Sequence, residues 1–484
     1  MLFSSIPFLY VFLPAVLALY FLVPKAGRNA VLLIASLIFY GWGEPKYVFL
    51  MIGTIALFYL CGLATEKAAA QRWKKVWLLT SVVISIALLA VFKYADFFVD
   101  SFNKVTGLSL PFLRLALPIG ISFYTFQCLS YVIDVYRGDV PAQKNPISFG
   151  AYVALFPQLI AGPIVRYRDI ARMLDGRTHS WEDAFWGLRR FIVGLSKKIL
   201  LADSFALLLQ IYRQQAHPSV LFAWMYAIGF TLNIYFDFSG YSDMAIGLGR
   251  IFGFRFVENF DYPYLSKSVT EFWRRWHMSL GSWFRDYVYI PMGGNRVSKP
   301  RWVLNILTVW ALTGLWHGAA WNYIFFGIYH FALILTGKLF APAARSFHDR
   351  FRIQPDSRSF RVFQILRTGV LVVIGELFFR AEGFTNGIRM FLRMICAPQL
   401  DLVTAELLTK LGMDPADFLI TGVTVLIVFA VSLFNERGIC LRQELRKKPT
   451  LVRWAVWYAV LFYILIFGAY GQGYIPVDPM YANF

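Results

Sequence analysis

Charge is scarce in this sequence. Of its 484 residues only 15% are Asp, Glu, Lys or Arg, where a soluble globular domain carries about a quarter. So little charge cannot cover the apolar surface of a chain that is 58% hydrophobic with a mean hydropathy of +0.55. A water-soluble fold is excluded, and the bilayer is the expected solvent. Acids are the scarcer sign: 28 Asp and Glu stand against 47 Lys and Arg, a formal net charge of +19. That excess is not a nucleic-acid footprint, because the basic residues sit in short loops between apolar runs, as the positive-inside rule requires. Cysteine is also rare. Cys61, Cys128, Cys396 and Cys440 lie far apart with no CxxC spacing, so neither a disulfide framework nor a metal cluster is expected.

Familiar soluble-enzyme motifs are missing as well. There is no P-loop, no GxSxG elbow and no HExxH, which removes kinase, hydrolase and zinc-protease readings. Gly247-Leu248-Gly249 is not a dinucleotide fingerprint, having neither a preceding strand nor a third glycine in register. No internal repeat is visible, which disfavours common transporter architectures.

What is present is a series of apolar runs of roughly 15–22 residues, the length a helix needs to cross a bilayer. Each run must satisfy its own backbone, so each is expected to be helical; the alternation of a membrane barrel is absent. Run 3–23 has no basic region before it and no small-residue cleavage site after it, and reads as a retained helix. Lys25 and Arg28, then Lys67, Arg72, Lys74 and Lys75, mark cytoplasmic loops. The segment 93–106 suits the outer face, and run 112–133 is expected to kink at Pro118 and Gly120. Runs near 147–164, 187–211 and 219–236 are interrupted by Pro157, Gly162-Pro163, Lys197-Lys198 and Asp203, as expected of helices around a polar interior. Runs at 302–316, 321–337, 366–379, 418–434 and 454–470 complete the chain. The expectation is an all-α polytopic membrane protein with roughly 11 transmembrane helices plus re-entrant or interfacial pieces and both termini outside. One unit spans 1–484, with a core at about 115–340 and C-terminal helices at 366–470.

Three stretches carry chemistry. In Glu271–Tyr287, Trp273, Trp276, Leu280, Trp283 and Tyr287 recur at helical spacing and predict one amphipathic helix, with Arg274, His277, Gly281 and Arg285 mainly on another face. In Leu312–Asn322, His317 lies between two apolar runs. The run before it is about 22 Å long as a helix, which places His317 within the membrane; Gly314 and Gly318 beside it permit close approach. An ionisable residue at that depth is a functional candidate, and histidine is the side chain that exchanges protons near neutral pH. The alternative is a histidine that only bridges helices, the role expected of His330. His179, His217 and His348 lie in polar loops and are expected to be solvated. The third stretch, Phe236–Arg250, reads as a helix break holding Asp237 and Asp243, with Arg250, Arg255 or Arg274 as partners.

In sequence order, the blocks Phe238-Ser-Gly-Tyr-Ser-Asp-Met-Ala-Ile-Gly247, Glu258-Asn-Phe260, Tyr262-Pro-Tyr264, Glu271-Phe-Trp-Arg-Arg-Trp-His-Met-Ser-Leu280, Asp286-Tyr-Val-Tyr-Ile-Pro-Met-Gly-Gly-Asn-Arg296 and Gly314-Leu-Trp-His-Gly-Ala319 resemble the membrane-bound O-acyltransferase family. The branch they most resemble is that of the bacterial alginate O-acetylation membrane proteins. Leu2-Phe-Ser-Ser5, Phe39-Tyr-Gly-Trp-Gly-Glu-Pro45 and Phe378-Phe-Arg-Ala381 extend the likeness over nearly the whole chain. The resemblance implies a helical bundle around a central funnel and tunnel, in the cytoplasmic (inner) membrane of a bacterium. It also implies an acyl thioester, acetyl-CoA by default, entering from the cytoplasm with no bound cofactor or metal. His317 takes the place of the family's catalytic histidine and His277 that of its upstream histidine. Arg274, Arg275 and Arg285 are the expected phosphate partners of the donor, since arginine matches phosphate in a bidentate way. Trp276 and Trp316 are expected beside the acyl group, and Asp237, Ser239, Asp243 and Asn322 along the tunnel. A separate extracytoplasmic transferase with a serine nucleophile is the implied partner and an alginate-like exopolysaccharide the implied acceptor, with peptidoglycan or cellulose as the alternatives. A polymer or acyl-carrier transporter is the rival of another class. One departure stands out: Gly375-Glu376 precedes Phe378-Phe-Arg where a tryptophan and no acid is expected.

Overall fold

The computed structural model describes residues 1–214, 219–381, 383–396 and 415–468. Every regular element among them is helical. The helices are α1 (Leu13–Leu22), α2 (Arg28–Gly43), α3 (Tyr47–Lys67), α4 (Gln71–Leu89), α5 (Ala95–Thr106), α6 (Ile121–Arg137), α7 (Pro146–Ala154), α8 (Phe156–Leu159), α9 (Tyr167–Gly176), α10 (Trp181–Ser196) and α11 (Asp203–Gln214). There follow α12 (Val220–Ile251), α13 (Val269–Arg275), α14 (Met278–Phe284), α15 (Lys299–His317), α16 (Trp321–Leu339), α17 (Ala341–Arg350), α18 (Arg358–Arg380), α19 (Phe384–Cys396), α20 (Pro415–Glu436), α21 (Leu441–Arg446) and α22 (Thr450–Phe467).

Among the described residues six stretches are long and apolar enough to cross a membrane: Tyr47–Lys67, Gln71–Thr106, Val220–Ile251, Arg358–Arg380, Ala416–Glu436 and Thr450–Phe467. The pair α16 and α17, bent by 52°, makes seven if read as one broken span. The chain is thus a multi-pass membrane protein, though these spans are fewer than the eleven counted from apolar runs. Part of the difference is that some runs do not form one long helix. Run 112–133 starts as irregular chain and becomes helical only at Ile121, and run 147–164 is divided between α7 and α8.

Burial divides the helices. α12 is the central post, with buried residues along nearly its whole length, whereas α20 and α22 are mostly exposed, as lipid-facing helices are. The expected helix break at 236–250 does not occur: α12 is one 32-residue helix. Its Asp237 and Asp243 need no break because cations on the neighbouring helix reach them. Lys197 and Lys198 likewise do not interrupt their run. They lie in a π-helical turn, Lys197–Ala202, that joins α10 to α11. A π turn adds a residue to the helical cycle and swings its side chains round.

α10 packs on α12 through two glycine pairs. A Cβ on Gly187 would collide with the Gly247 carbonyl and one on Gly247 with the Gly187 carbonyl; Gly194 and Gly240 repeat the reciprocal contact. The pairs are seven residues apart on each helix and run in opposite directions, so the helices lie antiparallel with backbones touching. Where lipid is as apolar as protein, such close packing is the main source of helix association. Gly194→Ala should therefore cost about 1–3 kcal/mol, read as a lower unfolding midpoint in detergent. Gly53→Ala, where a Cβ meets nothing within 4 Å, should leave the midpoint unchanged.

Candidate active site

The predicted helix 271–287 is not one helix. α13 ends at Arg275, α14 starts at Met278, and a π-helical turn, Arg285–Tyr289, follows. Between α13 and α14 the backbone of His277 is left-handed, at φ 44° and ψ 54°, a conformation uncommon for a non-glycine residue. The turn is held from outside. Asn259 receives the Met278 N–H on its carbonyl at 3.0 Å, and Asp261 donates its N–H to the Arg275 carbonyl at 2.9 Å. Trp276, Leu280, Trp283 and Tyr287 are still buried, so the aromatic spacing marked the inward residues correctly but not the backbone that carries them.

Asn259 also sets the chemistry of His277. Its Nδ2 donates to Ser242 at 3.0 Å, so its Oδ1 faces the turn. That oxygen accepts from the Ser279 hydroxyl at 2.8 Å and from His277 Nδ1 at 3.1 Å. The proton of His277 thereby sits on Nδ1 and the lone pair on Nε2. Phe238 meets the imidazole edge-on at a centroid distance of 4.7 Å.

His317 is the last residue of α15 and is 2% exposed. Its Nδ1 donates to the Thr313 carbonyl at 2.7 Å, one turn back in its own helix, which likewise leaves the lone pair on Nε2. The Trp316 ring stands between the two histidines, with centroids 5.0 Å from His317 and 5.7 Å from His277. The structure therefore brings His317, His277 and Trp316 into one buried group. Trp276 packs elsewhere, on Phe260 at 5.1 Å and Phe272 at 5.5 Å.

The end of α15 is secured by residues that the sequence reading placed in an outer segment. Tyr94 donates its hydroxyl to the Leu315 carbonyl at 2.7 Å, and the buried ammonium of Lys93 donates to the Trp316 carbonyl and to Ser122. A π-helical turn, Ala90–Tyr94, sets their direction. Beyond His317, Gly318 and Ala319 line a cavity of about 330 Å³ with Lys93, Asp96 and Tyr323. A larger cavity of about 1020 Å³ shares Phe97 and Ala319 with it and reaches Lys104, Asn386 and Arg389. Both lie past the end of α15 that is remote from Lys299 and Arg301. Asn322, at the start of α16, donates to the Phe379 carbonyl at 3.1 Å; the Phe379 ring in turn packs 5.2 Å from His317.

The remaining expected site residues have other partners. Asp237 pairs with Lys198 at 2.8 Å, and the same Lys198 holds Asp203 at 3.0 Å. Asp243 pairs with Arg190 at 2.6 Å and Lys197 at 2.7 Å. The expected partners Arg250, Arg255 and Arg274 are corrected accordingly; Arg250 pairs with Asp183. The period of α10 and its π turn, not proximity in sequence, selects these cations. Ser239 is buried on α12 beside them. Arg275 is bonded to Glu271 and Glu436, Arg285 to Asp286, and Arg274 is exposed. His330 is a helix bridge: its Nδ1 accepts from Trp273 Nε1 at 3.2 Å. His179 is not simply solvated but bonds Tyr20 and Arg28, and His348 packs on Phe360. His217 lies outside the described residues. Glu376, the unexpected acid, is 1% exposed on α18, one turn before Phe379.

Asn259 and Lys93 are the two site residues that sequence reading missed. Asn259 sat within a matched block without an assigned role, and Lys93 was visible as a lone cation inside an apolar stretch. Two substitutions test them. Asn259→Leu strands the donors of Ser279 and His277 and should destabilise the protein by about 1–3 kcal/mol, with Asn259→Asp milder because the acceptor stays. Lys93→Met uncovers the Trp316 carbonyl, and turnover should fall at least ~10-fold while the protein still inserts and purifies; full turnover would show that the end of α15 holds without it.

Comparison with known proteins shows the family. Residues 141–374 match the family model described as MBOAT, membrane-bound O-acyltransferase family. The chain is 43% identical to the probable alginate O-acetylase AlgI of Pseudomonas syringae pv. tomato over 88% of its length and 81% of the relative's. It is 44% identical to the probable alginate O-acetylase AlgI of Pseudomonas aeruginosa over 81% and 74%. It is also 31% identical to the peptidoglycan O-acetyltransferase of Helicobacter pylori over 82% and 80%. With this identity over most of both lengths, the chain belongs to the membrane-bound O-acyltransferase family and is a multi-pass membrane enzyme of that kind.

Proposed function

We propose that this enzyme moves an acetyl group from cytoplasmic acetyl-CoA, across or within the cytoplasmic membrane, for O-acetylation of an extracytoplasmic polysaccharide of the alginate kind. The observation that carries the reading is the 43–44% identity to probable alginate O-acetylases over most of the chain. The 31% identity to a peptidoglycan O-acetyltransferase supports peptidoglycan as the second candidate polymer. Reaction with a polymer fits the cavities past His317, and a separate extracytoplasmic transferase is the proposed carrier of the group from there. Arg274 and Arg285, exposed at the opposite, basic side, are the proposed phosphate partners of the donor. Arg275 is the weakest of the three, being held by two carboxylates. Residues 1–484 act as one unit in this reading, with the reaction centred within 115–340.

In the proposed mechanism His317 Nε2 removes the proton of the acceptor hydroxyl, which attacks the thioester carbonyl. The Trp316 indole N–H is the proposed donor to the oxygen that becomes negative; His277, whose Nδ1–H is committed to Asn259 and whose Nε2 carries a lone pair, donates there only after it takes up a second proton. The tetrahedral intermediate collapses, the C–S bond breaks, and the departing thiolate takes back the proton from His317 as CoA thiol. The acetyl ester leaves on the acceptor. The Nδ1 bond to Thr313 fixes the tautomer that this requires.

The test uses purified full-length protein in nanodiscs with [14C]acetyl-CoA. Wild type should release free CoA and labelled product, and His317→Ala should lose at least ~100-fold of that rate at unchanged protein level. Retained turnover in the variant would remove His317 from the chemistry. A wild type that leaves the thioester intact while transporting polymer would favour the transporter instead.

A further inference from the structure

The end of α1 and the start of α2 carry cations without acids. Tyr20, near the end of α1, donates its hydroxyl to the Phe252 carbonyl at 2.9 Å and accepts from Arg177 Nε at 2.7 Å. Arg28 donates from Nη1 to His179 Nδ1 at 3.1 Å, which puts the His179 proton on Nε2, and that nitrogen meets the Tyr20 hydroxyl at 2.9 Å. The Arg28 guanidinium also lies over the rings of Tyr20 and Phe21, at 5.2 and 5.8 Å. Two loops, 23–28 and 177–180, are thus tied into one cluster holding Lys25, Arg28, Arg177 and His179.

Among the described residues no carboxylate forms an ion pair with it. None of the ion pairs found among the described residues includes Lys25, Arg28 or Arg177. Arg28 opens α2, whose first turn has no acid, so the positive end of that helix dipole adds to the field instead of opposing it. His179 reports the same field. Burial, then Arg28 and Arg177, hold its pKa below the ordinary histidine value; the Phe252 carbonyl opposes them, Lys25 adds to them, and no acid is among the causes. Beside the cluster the outer surface is apolar: Leu19, Phe21 and Leu22 are exposed, Leu22 by 81%. A strip of lipid-facing side chains therefore ends directly at an uncompensated cationic group, on the side that the basic loops mark as cytoplasmic.

We propose that Lys25 and Arg28, backed by Arg177, form a site for the phosphate of an anionic phospholipid headgroup, with Leu19, Phe21 and Leu22 against its acyl chains. Cations between helices at this level are suited to anionic headgroups, each Lys or Arg near the surface contributing about 1 kcal/mol. Arg28 is held in place by His179 and Tyr20, so little side-chain entropy is lost when it pairs. Arg177 acts from behind, being fixed to Asn29 and the carbonyls of Met173 and Leu174.

The experiment follows thermal unfolding of the delipidated full-length protein in detergent with added dioleoyl phosphatidylglycerol, dioleoyl phosphatidylcholine or inorganic phosphate. Phosphatidylglycerol should raise the wild-type midpoint by about 3–5 °C, phosphatidylcholine and inorganic phosphate by much less. Arg28→Gln should lose most of that shift, and Lys25→Gln about half. If Arg28→Gln also lowers the lipid-free midpoint, the exposed Lys25 carries the comparison, since its side chain makes no contact that the fold needs. Equal stabilisation by both lipids, an equal effect of inorganic phosphate, or a full phosphatidylglycerol shift in both variants would each overturn the proposal.

Discussion

A helix that ends in a buried interior leaves carbonyl groups that need other donors, and the centre of this protein is arranged around that fact. The last carbonyls of α15 have no later turn to bond them. Leu315 is met by the Tyr94 hydroxyl and the Gly318 N–H, and Trp316 by the Lys93 ammonium. A cation at a helix C-terminus also opposes the negative end of the dipole. His317 Nδ1 adds a side-chain bond to the Thr313 carbonyl one turn back, and that bond fixes its tautomer. Closure of the helix and orientation of the imidazole thus meet at one helix end, which stops where the cavities begin.

The buried aspartates of α11 and α12 follow a second rule, that each is paired with a cation. Asp237 and Asp203 share Lys198, and Asp243 is held by both Arg190 and Lys197. Breaking such a pair costs more than the pair contributes, because the remaining charge stays buried. These pairs lock α10 and α11 to α12 at one register. The glycine contacts at 187/247 and 194/240 bring the backbones close enough for the side chains to reach. Packing and ion pairing thus specify the same alignment, which leaves α12 rigid where Phe238 and Ser242 touch the His277 turn.

Composition and motif were sufficient for the membrane, the helical class and the family, because each depends on many residues at once. His317, His277 and Trp316 were legible for the same reason, as parts of long matched blocks. What was not legible depended on single backbone events. A π turn at 90–94 rotates Lys93 inward, and nothing in its apolar neighbours announces that. The left-handed backbone at His277 splits a stretch whose aromatic spacing is that of one helix, since Trp276, Leu280, Trp283 and Tyr287 remain inward on either side of the split. The partners of Asp237 and Asp243 were misassigned because arginines near in sequence were considered, whereas the cations come from another helix through a second π turn. The described residues carry six or seven long apolar spans against the roughly eleven counted, in part because apolar length is not helix length, as the irregular chain before Ile121 and the break between α7 and α8 show.

The two ends of α15 differ in kind, and this bears on where specificity resides. Its first turn carries Lys299 and Arg301, while Gly318 and Ala319, just past its last residue, line cavities that include Asp96, Lys104, Asn386 and Arg389. The histidines, Trp316 and Asn259 offer a lone pair, donors and a closed surface, which suit transfer of an acyl group to any hydroxyl. They hold nothing that would recognise one sugar over another. Relatives named for alginate and for peptidoglycan both align over about four-fifths or more of this chain, so the core chemistry does not separate the polymers. In the proposed function, the source of discrimination is therefore the set of charged and amide side chains that α5 and α19 contribute to the two cavities, not the buried histidine pair.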